Sequence, residues 1–223
     1  MGGREARYDR ATDFYVGFAR AWAADARPFL PADLSGRRVL DMACGLGELS
    51  RLMADRGASV TGVDLSSRML GHASDEEAAR PLGIRYLVGD VTTTDWWDGD
   101  PFDAVVCNMA LMDVDDLDAV MAAAAEVLHP GGEFSYSLLH PCFPGLRTDA
   151  AEQLPSWPPD RGYAAEGWWT TGGDGVRGRV GATHRMLSTY LNATVRAGFT
   201  LEQFGEATAA VPRFLVVGCR RGA

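Results

Sequence analysis

Residues 38–48 read RVLDMACGLGE. The apolar run Val39, Leu40, Met42 is short enough for a buried strand, and it passes into a loop carrying Gly45 and Gly47. From Leu46 the apolar residues Leu49, Leu52 and Met53 recur at helical spacing until Arg56-Gly57, a basic residue and a glycine that mark a helix end. Strand, glycine loop and helix in that order form the opening turn of an α/β nucleotide-binding unit, because glycine lets the backbone approach a ligand closely.

Working outward, the same rhythm repeats. ASVTGVD (58–64) reads as a second strand, and Ser66 is an N-cap for a helix through Met69, Leu70 and Ala73. Pro81-Leu82-Gly83 breaks that helix before a third strand, IRYLVGD (84–90). FDAVVCNM (102–109) is a fourth strand, Asp115 to Leu128 an Ala-rich helix, and HPGGEFSYSLLH (129–140) a turn feeding a fifth strand. After a helix over His184 to Gly198, FTLEQFGE (199–206) and RFLVVGCR (213–220) are strand-like and close in sequence, which predicts an antiparallel pair. Alternating strands and helices predict a doubly wound, mostly parallel seven-stranded sheet in one domain over 1–223.

Two segments stand outside the rhythm. Residues 1–35 hold a helical stretch with Phe14, Phe18, Ala21 and Trp22 on one face, expected to cap the fold. Residues 143–183 hold eight Gly and four Pro with no sustained period, so they read as an irregular insertion, expected to act as a substrate lid.

Composition removes several chemistries. All 21 basic residues are Arg, so Schiff-base and pyridoxal-phosphate enzymes, Walker-type loops and Tyr/Lys dehydrogenases are excluded for want of a Lys. A net charge of −9 with scattered Arg predicts no nucleic-acid partner. Four Cys without a CxxC pair and the lack of an N-terminal apolar stretch predict a reduced, cytoplasmic protein with no membrane association. The four His, at 72, 129, 140 and 184, have no ligand spacing, so no metal is expected.

Three carboxylates end three successive strands: Asp41, Asp64 and Asp90, with Asp64 19 residues after Gly45. An acid at the second strand end accepts hydrogen bonds from ribose hydroxyls, which points to a nucleoside ligand. Ser50 stands where a dinucleotide fingerprint has its third glycine, which disfavours a nicotinamide cofactor.

The segments VLDMACGLGELS, VDLSSRML, VGDV, FDAVVCNMALMDV and LHPGGEF, in that order and spacing, resemble class I S-adenosylmethionine-dependent methyltransferases from about residue 37 to 140, and more loosely beyond. The resemblance implies a Rossmann-like sheet whose last strand is antiparallel. It implies S-adenosylmethionine as cofactor, with Ala43, Gly45 and Gly47 under the methionine part, Asp41 nearby, and Asp64 with Leu65 at the ribose. Asp90 and Val91 would flank the adenine, Met69 would pack on it, and Asn108 and Met109 would face the sulfonium. The family often has Gly where Ala43 stands. ALMD (110–113) and LHPCF (139–143) resemble a subgroup acting on small molecules.

Tyr8 and Tyr15, seven apart on one helix face, are candidates for the methionine carboxylate. His140 and His184 are the candidate general bases, and Tyr163, Trp168 and Trp169 the candidate acceptor wall, with Trp157 nearby. The expected activity is methyl transfer to an O, N or C atom of a small molecule such as a natural product, by a monomer or homodimer. The alternatives are non-methylating use of the same cofactor, in cyclisation or rearrangement, and a nucleotide-binding reductase.

Overall fold

The computed structural model describes residues 3–16, 30, 33–143, 157–158, 160–171, 176–206, 212 and 214–223. Helix α1 spans Arg4–Val16, and the sheet begins with β1 (Arg38–Met42). Then come α2 (Glu48–Ala54), β2 (Ser59–Asp64), α3 (Ser67–Ala79), β3 (Arg85–Val88) and β4 (Phe102–Asn108). A 3-10 turn, Leu111–Asp113, precedes α4 (Leu117–Val127) and β5 (Leu128–Leu139). A small hairpin, β6 (Gly167–Trp169) and β7 (Ala182–His184), encloses the short helix α5 (Val176–Arg179). Helix α6 (Leu187–Arg196), β8 (Phe199–Glu206) and β9 (Phe214–Arg221) complete the chain.

The main sheet has the order β3-β2-β1-β4-β5-β9-β8. Strands β1 to β5 pair in parallel, and β9 runs antiparallel to both β5 and β8. The predicted seven-stranded, mostly parallel sheet is therefore observed, with β9 as the reversed strand.

Strand alternation divides the core. Val39, Val60, Ala104 and Val106 pack with Leu49 and Met53 of α2 on one face. Leu40, Met42, Val63, Val105 and Cys107 pack on the other, with Val120, Met121 and Ala124 of α4 and Tyr190 of α6. Neighbouring strand residues point to opposite faces, so β1 must be apolar throughout, and only a buried partner makes Asp41 tolerable in it.

The caps follow the sequence closely. Ser66 accepts from Met69 N at 3.2 Å and Asp116 accepts from Ala119 N at 2.9 Å, satisfying free N–H groups at the starts of α3 and α4.

Two boundaries differ from expectation. His184 does not begin a helix; it ends β7, and α6 starts three residues later at Leu187. A three-residue strand paired to Gly167–Trp169 is too short to show a period of its own. The insertion also contains this regular hairpin and α5. Of the expected N-terminal helix face only Phe14 is described; Phe18, Ala21 and Trp22 lie outside the described residues, as does 207–211 between β8 and β9.

Candidate active site

The order of the strands reverses between β1 and β4, and a cleft opens there, beyond the carboxyl ends of the strands. All the residues assigned above to a cofactor line it, except Gly47: Tyr15, Asp41, Ala43, Gly45, Asp64, Leu65, Met69, Asp90, Val91, Asn108 and Met109. Tyr8 lines it too.

The carboxylates differ in how they are held. Asp64 accepts from Gly45 N through Oδ2 and from Ser66 N through Oδ1, each at 2.8 Å, which ties the glycine loop to the end of β2. Burial nevertheless raises its pKa. Asp41 accepts the Ser50 hydroxyl at 2.5 Å; burial, the larger effect, pushes its pKa up to about 7. Asp90 accepts from the Thr92 backbone and hydroxyl through Oδ1, while Oδ2 meets Arg4 Nη2 of α1 at 2.6 Å.

Backbone strain is concentrated at the same place. Gly45 has φ 54°, Ala43 φ 56° and Met109 φ 56°. The last two carry side chains in the left-handed region, which costs on the order of 1 kcal/mol each. Met109 is fixed there because its N–H donates to both the carbonyl and the hydroxyl oxygen of Ser137, whose hydroxyl in turn donates to Asn108 Oδ1 at 2.6 Å.

Gly47 is required for another reason. Its φ is 74°, and a Cβ there would lie 2.3 Å from the Tyr86 hydroxyl oxygen and 3.1 Å from Ala73 Cβ. This glycine lets β3 and α3 pack under the loop; it does not face the cleft.

The candidate bases and acceptor wall are elsewhere. His140 accepts from Cys142 N through Nδ1 and therefore donates from Nε2 to Glu206 at 2.8 Å. His184 donates from Nε2 to the Tyr163 carbonyl at 2.7 Å and borders a separate small hollow with Arg177, Arg185 and Tyr190. The Tyr163 hydroxyl accepts from Leu187 N, at the start of α6. Trp168 is 51% exposed under the Arg7 guanidinium, whereas Trp169 is buried. Neither His140, His184, Tyr163, Trp168 nor Trp169 lines the cleft.

Sequence reasoning passed over Arg4, Glu48 and Asp113, which do line it. Asp113 was visible only as the last residue of ALMD. Arg4 had no signal, since a lone Arg before a helix is ordinary.

The cleft sets Asp41, Glu48, Asp64, Asp90 and Asp113 against Arg4, the one basic side chain lining it among the described residues. An excess of carboxylates around a glycine loop, two of them buried, suits a cationic, hydroxyl-rich ligand and repels a pyrophosphate. S-Adenosylmethionine fits this donor set: a sulfonium and an ammonium for the acids near β1, ribose hydroxyls for Asp64.

The methyltransferase domain family matches residues 39–132. An S-adenosylmethionine-dependent methyltransferase from Mesorhizobium loti is 32% identical in sequence, with a TM-score of 0.72 over 92% of this chain and 99% of that one. A structure from Listeria monocytogenes described as a putative methyltransferase of the same kind is 26% identical, with a TM-score of 0.70 over 92% of this chain and 99% of that one. A ubiquinone biosynthesis O-methyltransferase from Idiomarina loihiensis is 38% identical over 128 residues, 56% of this chain and 53% of the relative. The chain thus spans about half the length of the curated relatives it matches. With the strand-end carboxylates and the glycine loop in place, these likenesses show that the chain belongs to the class I S-adenosylmethionine-dependent methyltransferases.

Proposed function

We propose that the enzyme methylates a nucleophilic oxygen, nitrogen or carbon atom of a small molecule, with a hydroxyl oxygen first among these. The observation that carries the reading is one continuous cleft. Its lining takes in the acids of β1 to β3, Asn108 and Met109, and Tyr8, Tyr15 and Asp113. That lining combines carboxylates with apolar side chains such as Leu65, Met69 and Val91, the mixture that a nucleoside cofactor and a compact acceptor call for. The oxygen preference rests on relatives named for ubiquinone O-methylation, which are similar over 55–56% of this chain.

S-Adenosylmethionine, when bound, supplies a methyl group already activated on a positively charged sulfur, so the protein has mainly to orient and to exclude water. Asp64, tied to the Gly45 amide, would hold the ribose, and Ser50 holds the Asp41 carboxyl in a fixed position. Tyr8 and Tyr15 of α1 also line the cleft. Calorimetric titration with S-adenosylhomocysteine tests the reading: one site per chain is expected, weakened at least about tenfold by Asp64→Ala. No binding, or equal binding by the variant, overturns it.

A further inference from the structure

Resting on that reading, we propose that Asp113 is the catalytic base that takes the proton from the acceptor, and that Arg177 and Arg185 are the positioning residues that present it. The acceptor is then a protonated nucleophile, a phenol, hydroxyl or ammonium group, and not an anion.

The 3-10 turn Leu111–Asp113 follows directly on Asn108 and Met109, so Asp113 enters the cleft just beyond the end of β4. Its Oδ1 accepts from Arg177 Nη1 at 2.9 Å; its Oδ2 has no partner among the described residues. Asp64 and Asp90 use both oxygens on protein donors, and Asp41, buried under the loop, uses one on Ser50. Asp113 thus has a fixed carboxylate with one oxygen left for a ligand.

The turn is held from behind. Arg185 donates to the carbonyls of Leu111, Val114 and Asp115 at 2.7–3.1 Å, bracketing Asp113 on both sides. Arg177 also donates to the Gly181 carbonyl, and its Nε is buried with no partner among the described residues. A structural cation would have its donors satisfied; this one leaves a donor unused while fixing a carboxylate, the cost expected at a functional site. Both arginines come from the second half of the chain, so the segment expected to wall the acceptor with aromatic rings contributes a clamp.

The charged and titratable neighbours are Arg7, Tyr8 and Tyr15 on α1, Cys107 on β4, Arg177 on α5, Arg185 before α6, and Tyr190 on α6. Burial raises the Asp113 pKa, and Arg177 opposes it. A carboxylate so placed is a stronger base than a solvated one. In the transfer, the acceptor atom bonds to the methyl carbon as the carbon–sulfur bond breaks, its electron pair remaining on sulfur. The acceptor's proton passes to Asp113 Oδ2, and the sulfonium and carboxylate charges are neutralised together.

Asp113→Asn keeps the shape and the Arg177 hydrogen bond but not the base. Calorimetry with S-adenosylhomocysteine is expected to give this variant the wild-type affinity within about threefold, since Asp113 faces the acceptor. A loss of tenfold or more would make it a cofactor ligand and overturn the proposal. Turnover is followed with S-adenosyl-[methyl-13C]methionine, using catechol and tyramine as probe acceptors.

Asp113→Asn is expected to lower kcat at least about 100-fold and to abolish the acidic limb of the rate profile. Arg177→Met should retain cofactor binding and move that limb to higher pH. Wild-type kcat in the first variant, or an unmoved limb in the second, overturns the proposal. So does a wild-type protein that binds S-adenosylhomocysteine yet methylates neither probe, whereas a wild-type protein that binds none overturns the methyltransferase reading.

Discussion

Ser50 places its hydroxyl 2.5 Å from Oδ2 of Asp41, and both side chains are sealed from solvent. The serine that replaces the third glycine of a dinucleotide loop is thus the partner of the buried acid in β1. One residue difference both disfavours the nicotinamide cofactor and makes an acid under the loop tolerable.

That acid costs stability when charged. Its folded pKa, about 7, lies above an unfolded value of about 3.9, so its contribution is fully present below about pH 4 and is lost as pH rises through 7. The difference is on the order of 4 kcal/mol. Asp41→Asn is expected to match wild type in melting temperature near pH 4 and to exceed it at pH 8. Affinity for S-adenosylhomocysteine should move oppositely: in wild type it rises with pH through about 7 as the carboxylate ionises toward the ligand ammonium, and the variant loses both affinity and slope. Parallel melting curves across that range would refute the assignment.

Gly47 and Tyr86 make a coupled pair. A Cβ on Gly47 meets the Tyr86 hydroxyl at 2.3 Å, and that hydroxyl is buried with no hydrogen-bond partner among the described residues. Tyr86→Phe is therefore expected to be neutral or to stabilise by up to about 1 kcal/mol. Gly47→Ala should destabilise by about 3 kcal/mol, from the clash and from φ 74°. The double variant should recover at least about 1 kcal/mol of that loss in denaturant titrations. Strict additivity would show that the loop, not the tyrosine, carries the cost.

The sheet was legible because its signals are local: apolar runs, glycines after them, and acids at strand ends fix β1 to β4 and the cleft-facing residues together. Gly45 and Gly47 look alike in sequence because both have positive φ, yet only Gly45 lines the cleft. Arg177 and Arg185 were illegible for the opposite reason. Their partners, Asp113 and the carbonyls of 111–115, lie more than sixty residues away, and neither arginine belongs to a periodic pattern. His184 misled because the helical spacing of Leu187, Tyr190 and Leu191 extends naturally backward, while its real pairing is across a hairpin to Gly167.

Arg4 joins α1 to the cleft. It pairs with Asp90 at 2.6 Å and lies 3.6 Å from Asp115, with the Arg4 side chain about a quarter exposed. Such a pair contributes about 1 kcal/mol or less to stability, but it ties α1 to the end of β3 within the cleft lining. Arg4→Ala is expected to leave the melting temperature nearly unchanged and to speed S-adenosylhomocysteine dissociation by roughly threefold to tenfold in competition kinetics. Raising salt to about 0.5 M should bring wild type toward the variant. Equal dissociation rates at low salt would show that the ion pair does not hold the helix over the ligand.

The histidines divide structure from proton transfer. His140 ties the end of β5 to Glu206 of β8, and His184 ties β7 to the Tyr163 carbonyl. Both rings are buried, although Glu206 is exposed, so His140→Ala and His184→Ala are each expected to cost about 1–2 kcal/mol in denaturant unfolding. Neither ring lines the cleft, so both variants should keep the acidic limb of the catechol methylation profile that Asp113→Asn removes. A histidine acting as base would instead lose that limb on substitution while Asp113→Asn retained it, and measuring all three profiles in one buffer series separates the two assignments.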